Sequence, residues 1–223
     1  MTMASWMVHL RIADKLLDII PDLSPTEFIV GNIAPDSGVP NEDWSAFSPP
    51  TKVSHFKSAG KKANPEAFAA KYFARPSEYN RKQYSFYLGY LTHLLTDVLW
   101  SEQVARPSLD RFGKTDAPDR EEFIWKLKQD WYDLDFKYLR DHPDFRAFYV
   151  YRNAIDFQND YMEEFAPDAF DNRRRYITQF YLTGRENLDR EYPYLTEAEM
   201  DGFTEQAVHK ILDKLHTYYA VKP

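Results

Sequence analysis

Two ionisable side chains stand four residues apart in the most apolar stretch of the chain, Tyr84 to Val104 (YSFYLGYLTHLLTDVLWSEQV). They are His93 and Asp97, and in a helix that spacing puts them on one face about one turn apart. An imidazole and a carboxylate in this register suit two kinds of chemistry. They can share a hydrogen bond inside a helical core, or they can address one divalent metal from a rigid base. A buried carboxylate costs several kcal/mol unless compensated, so something must face the pair in either case. Upstream, His9, Asp36 and His55 each sit at a special position marked by Pro, Asp or aromatic residues. Each also has a plainer reading: His9 is a half-buried histidine on an amphipathic helix, and Asp36 after Pro35 is a turn or cap residue. The chain has no cysteine, which excludes disulfides and thiolate metal sites. Three His and two Asp without Cys form a ligand set for one or two Zn²⁺ ions, up to three in the widest case, or for another divalent metal.

Other polar clusters read more simply. Asp130, Asp133 and Asp135 belong by default to a charged helix face, although Asp130 or Asp133 can complete a metal shell as a hard oxygen ligand. His142 before Pro143 reads as a helix-end histidine. Glu205-x-x-x-His209 and His216 lie on a terminal helix and read as solvent-facing. Arg173-Arg174-Arg175, the densest basic run, reads as a solvated helix face.

The elements that must position these residues are helical. Around the central stretch, Phe86, Gly89, His93, Asp97 and Trp100 share one narrow stripe, and Tyr87, Tyr90, Leu91, Leu94, Leu95, Val98 and Leu99 cover most of the rest. That pattern predicts a buried helix over about residues 78–105, stopped by Arg106-Pro107. Gly89 leaves room on the His93 stripe for another segment to approach. Before it, Met7, Leu10, Ala13, Leu16, Leu17 and Ile20 predict an amphipathic helix from Met3 to Ile20, ended by Pro21. Ser24-Pro25 starts a second, short helix that Pro35 ends. Residues Asp36 to Pro65 are rich in Pro, Gly, Ser, Asn and Asp. The aromatic residues Trp44, Phe47 and Phe56 punctuate them and predict an ordered functional loop, with Trp44 and Phe47 lining or covering a pocket. Pro65 to Phe73 is a short helix, Asp116 to Asp119 a turn and Asp119 to Arg140 a long helix. Further helices are expected over roughly Pro143 to Asn159, Asp171 to Asn187, and Thr196 to Tyr219, the last opened by the capping box Thr196-Glu197-Ala198-Glu199. No useful β-alternation occurs. The expectation is an all-α fold, one compact multi-helix domain spanning residues 1–223.

Composition narrows the partners. Charged residues are 28% and aromatics 17% of the chain, and the formal charge is -7, so neither duplex nucleic acid nor an anionic membrane surface is a broad partner. No apolar run reaches the ~18 to 20 residues of a membrane span. The opening residues lack a basic start and a cleavage site and read as mature helix. A cytoplasmic location is therefore expected.

Four motifs resemble, in order and character, the zinc-dependent phospholipase C family. They are Trp6-Met7-Val8-His9-Leu10-Arg11-Ile12-Ala13, then Phe28-Ile29-Val30-Gly31-Asn32-Ile33-Ala34-Pro35-Asp36-Ser37, then His55-Phe56, and Phe86-Tyr87-Leu88-Gly89-Tyr90-Leu91-Thr92-His93-Leu94-Leu95-Thr96-Asp97. The match covers about the first 100 residues. The resemblance implies an all-α domain whose zinc ions activate water against a phosphodiester. It makes His9, His55, His93 and Asp97 zinc ligands, and Asp36 a ligand or the catalytic base that orients the attacking water. The family's further His ligands after Asp97 have no counterpart at close spacing, which implies a reduced cluster with Asp130 or Asp133 in the missing places. The expected substrate is a small-molecule or lipid-headgroup phosphoester. Two rivals stand beside it: a hydrolase of a soluble phosphate ester or nucleotide on the same site, and a non-catalytic helical scaffold or binding protein with a structural metal or His-Asp pair.

Overall fold

A computed structural model describes residues 3–43, 45–57, 62–113 and 120–219. Helix α1 (Trp6–Ile19) buries Met7, Leu10, Ala13 and Leu16. Helix α2 (Pro25–Ile33) starts one residue after Ser24, and a 3₁₀ turn over Ala34–Asp36 carries the chain out of it. The loop that follows is ordered by a small antiparallel hairpin, β1 (Val39–Pro40) on β2 (Phe47–Ser48), and by a single helical turn, α3 (Thr51–Ser54). Trp44 lies outside the described residues, as does the turn expected over Asp116 to Asp119. Helix α4 (Pro65–Tyr72) is capped by the Asn64 side chain.

The central helix, α5 (Arg81–Trp100), starts at a capping box that the sequence reading missed. Asn80 Oδ1 accepts from Gln83 N at 3.0 Å, and Gln83 Oε1 accepts from Asn80 N at 3.2 Å, which satisfies two of the helix's orphan donors. Its end also differs from the expectation. Arg106-Pro107 does not stop it; a π turn over Ser101–Ala105 leads directly into α6 (Arg106–Phe112). Proline removes one N–H from the helical ladder, and a widened turn before it absorbs that loss.

Helix α7 (Arg120–Asp141), α8 (Arg146–Arg152), α9 (Ala169–Leu182) and α10 (Glu197–Tyr219) complete the all-α architecture. The helices expected over 143–159 and 171–187 are thus shorter or shifted. The connection between α8 and α9 is instead held by Asn159, whose amide nitrogen donates to the carbonyls of Met162 and Phe165 at 2.7 and 2.8 Å. At the α10 start, Thr196 Oγ1 accepts from Glu199 N at 3.2 Å and Glu199 Oε2 accepts from Thr196 N at 2.8 Å. None of the helices is long and apolar enough to cross a membrane among the described residues.

Helices α2 and α5 pack backbone against backbone, and two glycines permit it. A Cβ on Gly89 would strike the Phe28 carbonyl oxygen, and one on Gly31 would strike that of Phe86. The abundant aromatics fill the other joints: Phe68 stacks on Tyr90 with centroids 4.6 Å apart, and Trp100 meets Trp131 and Phe203 edge-on at 5.1 and 5.0 Å. Arg11 ties α1 to α10, donating to Asp201 at 2.5 Å while its guanidinium lies 4.0 Å over the Tyr138 ring.

Candidate metal centre

Five side chains from four segments meet on the His93 face of α5. His9 comes from α1, Asp36 from the 3₁₀ turn after α2, His55 from the residue ending α3, and His93 and Asp97 from α5. The three imidazoles and Asp97 are buried, whereas Asp36 is 13% exposed and faces a cavity. His9 Nε2 lies 3.5 Å from Asp97 Oδ1, and His55 Nε2 lies 3.4 Å from Asp97 Oδ2 and 3.5 Å from Asp36 Oδ1. His93 Nε2 lies 3.6 Å from Asp97 Oδ2 and 3.9 Å from Asp36 Oδ1.

These separations are long for hydrogen bonds, and most of the atoms concerned have no other partner among the described residues. Both ring nitrogens of His9, Nε2 of His55 and His93, and Asp97 Oδ2 are buried without a hydrogen bond among the described residues. Native cores rarely leave so many polar atoms orphaned in one place. Two ligand atoms each ~2.05 Å from a tetrahedral ion stand ~3.3 Å apart, so the spacing suits shared coordination better than direct bonding. Two sets of three could hold an ion: His9, His93 and Asp97, and Asp36, His55 and His93.

Neighbours fix the orientation of each group. His93 Nδ1 is 2.7 Å from the Asn32 carbonyl; a carbonyl only accepts, so Nδ1 carries the proton and a neutral His93 keeps its Nε2 lone pair for the cluster. The His9 ring stacks on His93, with centroids 3.8 Å apart and planes 3° from parallel. Ser54 Oγ sits 2.9 Å from His55 Nδ1. Trp6 Nε1 donates to Asp36 Oδ2 at 2.9 Å, and the Ala4 amide donates to Asp97 Oδ1 at 3.2 Å. Asn32, Ser54 and Trp6 were missed as supports. Asn32 and Trp6 lie inside the motifs already singled out, and a polar Asn within an otherwise apolar short helix is the signal that could have found the first.

The charges are strongly coupled. Burial, and then the neighbouring His93 imidazole, depress the His9 pKa. Burial also opposes the protonated form of His55, but the facing Asp36 and Asp97 carboxylates outweigh it and push its pKa up to about 9. Burial works against ionised Asp36 as well, yet His55 and His93 hold its pKa down at about 2, and Asp97 is held well below the usual range by the same imidazoles together with His9. Metal uptake at neutral pH must therefore displace the His55 proton. Titration with Zn²⁺ at pH 7 should release about one proton per chain from this group, visible as a buffer-dependent binding enthalpy. Apparent affinity should rise by up to about tenfold per pH unit until pH 9. Affinity that is flat from pH 6.5 to 8.5 would contradict this coupling.

Asp130 and Asp133 do not join the cluster. Asp130 accepts from Arg190 at 2.7 Å and from the Tyr194 amide at 2.8 Å; Asp133 accepts from Arg185 at 2.5 Å and Arg190 at 2.7 Å. The reason lies in the helix register. Lys128 and Tyr132 line the cavity beside Asp36, and Asp130 is turned about 200° from Lys128. Asp135 is also engaged elsewhere, by Ser5 Oγ and Tyr181 Oη, both at 2.8 Å. The reading of Arg173-Arg174-Arg175 as a solvated face needs a similar correction. Arg173 and Arg174 are buried: Arg173 donates to the Gly38 carbonyl, Arg174 to Asp171 and the Arg152 carbonyl. His142, His209 and His216 are exposed and remote in role, as expected.

A cavity of about 210 Å³ opens over Asp36 and His55, lined by Trp6, Phe47, Tyr132, Lys128 and Arg173 among others. No curated protein and no solved structure gives a significant match to the chain. A family model described as zinc dependent phospholipase C matches residues 8–171. That span is well over half the chain and takes in His9, Asp36, His55, His93 and Asp97, so the protein belongs to the zinc-dependent phospholipase C family.

Proposed function

We propose that the protein hydrolyses a phosphodiester, with one or two divalent metals, zinc foremost, held by His9, His55, His93, Asp97 and Asp36. The observation that carries this reading is the set of unpartnered buried Nε2 atoms around an equally unpartnered Asp97 Oδ2, with His55 and His93 Nε2 3.4 and 3.6 Å from that oxygen. Zinc in such a site polarises phosphoryl oxygens and brings the pKa of a water to ~7. The chain's own residues do the rest. Asp36 is held at Oδ2 by the Trp6 indole, which leaves Oδ1 turned to the cluster. From there it directs the attacking water and takes its proton, as a carboxylate within hydrogen-bond reach can. Asn32 and Ser54 keep the His93 and His55 rings in place, and the aromatic wall excludes bulk water, which strengthens every charge interaction inside.

A second cleft, lined by Val39, Pro40, Ala169 and Tyr176, shares Gly38 and Arg173 with the cavity. It supplies an apolar channel beside the reacting centre and favours a lipid phosphodiester over a soluble ester. The test is turnover of short-chain phospholipid and of bis(p-nitrophenyl) phosphate by zinc-loaded protein and by Asp36→Asn. Zinc-dependent hydrolysis is expected, with kcat falling about 10²- to 10⁴-fold in the variant. Fully loaded protein that leaves every phosphodiester intact would instead make the metal structural.

A further inference from the structure

Two cations line the cavity, and neither has a carboxylate partner. Lys128 Nζ makes no ion pair among the described residues and lies 5.0 Å from the Trp125 ring centroid. Arg173 is 7% exposed, yet among the described residues its guanidinium meets the Gly38 carbonyl at 2.6 Å and the Tyr176 ring face at 5.5 Å and no carboxylate. A buried guanidinium is ordinarily paired with an anion. Among the described residues that line the cavity, Asp36 is the one carboxylate. Its Oδ2 accepts from the Trp6 indole, and its Oδ1 faces His55 and His93 across 3.5 and 3.9 Å. No other lining residue is acidic, so this wall carries two positive charges that form no ion pair with a carboxylate among the described residues. The Lys128 ammonium is partly desolvated, which its depressed pKa reflects, and it would gain from an anion there.

We propose that the headgroup arm of the substrate carries a second anionic group, a carboxylate or a further phosphate, held by Lys128 and Arg173. This rests on the phosphodiesterase reading above and deepens it by naming the headgroup class. A guanidinium presents paired N–H donors to an oxyanion and an ammonium adds a point charge, so together they suit a compact anion in the cavity that also holds the scissile phosphate. A quaternary ammonium headgroup would find aromatic faces but would also meet two like charges and no free carboxylate, and like-charge contact outweighs a cation–π gain.

The test uses the zinc-loaded full chain and three p-nitrophenyl phosphodiesters that share the leaving group and differ in the other arm: carboxymethyl, ethyl or choline. The expected order of kcat/KM is carboxymethyl, then ethyl, then choline, with at least about tenfold between carboxymethyl and ethyl. Lys128→Met should lower the carboxymethyl-to-ethyl preference about tenfold, and Arg173→Met should do the same where it folds. Binding supplies a readout apart from turnover: by calorimetry, phosphonoacetate should bind more tightly than methylphosphonate, and Lys128→Met should abolish the difference. A choline ester that equals or exceeds the carboxymethyl ester, or a preference that survives Lys128→Met in both assays, overturns the proposal. Turnover with choline preferred would sink this inference and leave the hydrolase reading standing. Anion-selective binding without turnover of any ester would do the reverse. To separate the sources of the anion, vesicles containing phosphatidylinositol 4-phosphate are compared with the water-soluble deacylated compound. Turnover only in vesicles identifies a lipid headgroup, equal turnover a free ester, and a preference for phosphatidylcholine vesicles over both counts against the proposal.

Discussion

Replacing Asp97 by Asn should strip the protein of metal. Both Asp97 oxygens serve the cluster: Oδ1 faces His9 and the Ala4 amide, and Oδ2 faces His55 and His93. Among the described residues Asp97 is the one carboxylate within 4 Å of His9, and it also reaches His55 and His93, so one substitution removes a contact from each part of the site. The amide also turns N–H donors toward the imidazoles. Zinc affinity should fall by more than the 10- to 100-fold typical of losing a supporting residue, and kcat/KM should fall with metal content by about 10³-fold. The measurements are metal stoichiometry after dialysis against a weak chelator and the visible absorbance of the cobalt-substituted protein. A second consequence separates ligation from general damage. The raised His55 pKa depends on Asp36 and Asp97, so removing one carboxylate should bring it down from about 9, which histidine NMR of the metal-free protein would register. A variant that keeps its zinc and its His55 pKa would mean that Asp97 is only a buried hydrogen-bonded acid.

The residues that meet here were legible because each sits inside a distinctive local pattern. His93 and Asp97 break an otherwise apolar helix, Asp36 follows Asn32-Ile33-Ala34-Pro35, and His9 is the polar member of an apolar helix face. Helix starts were legible for the same local reason, as at Ser24-Pro25 and Thr196 to Glu199, and Asn80 to Gln83 carried an equally local signal that was passed over. What stayed hidden was decided by residues far along the chain. Asp130 and Asp133 look like hard ligands until Arg190 and Arg185, more than fifty residues later, take their oxygens. Arg173 and Arg174 look solvated because the Gly38 and Arg152 carbonyls that accept from them carry no side-chain signature, and the Asp171 partner of Arg174 reads as an ordinary exposed i,i+3 pair. Which face of α7 turns to the cavity is a matter of tertiary packing, and the acidic cluster is distributed around that helix in a way no spacing rule resolves.

Substituting Gly89 by Ala should damage both stability and metal binding, because the same close approach creates the core and the site. Gly89 lies one turn before His93 on α5, and its missing side chain lets the α2 backbone through at Phe28 and Asn32. That contact brings the Asn32 carbonyl to 2.7 Å from His93 Nδ1, and the Asn32 side chain reaches the Gly89 carbonyl in return. It also fixes where the chain leaves α2, and therefore where Asp36 stands three residues after Ile33. A methyl group there meets backbone, which cannot rotate away, so α2 must shift as a body. Overpacking of this kind costs ~1 to 3 kcal/mol or more, against the few tenths to ~1 kcal/mol that Gly→Ala ordinarily contributes to a helix. Urea denaturation of the metal-free protein should report that loss, and zinc affinity should drop with it as Asn32 and Asp36 move off the cluster. Gly202 is the control: it lies in α10, and nothing stands within 4 Å of a Cβ built there. Gly202→Ala should stabilise the protein by about 0.4 to 1 kcal/mol and leave metal binding alone. If Gly89→Ala behaves like Gly202→Ala, the α2 to α5 contact is not what holds the histidine and Asp36 in register.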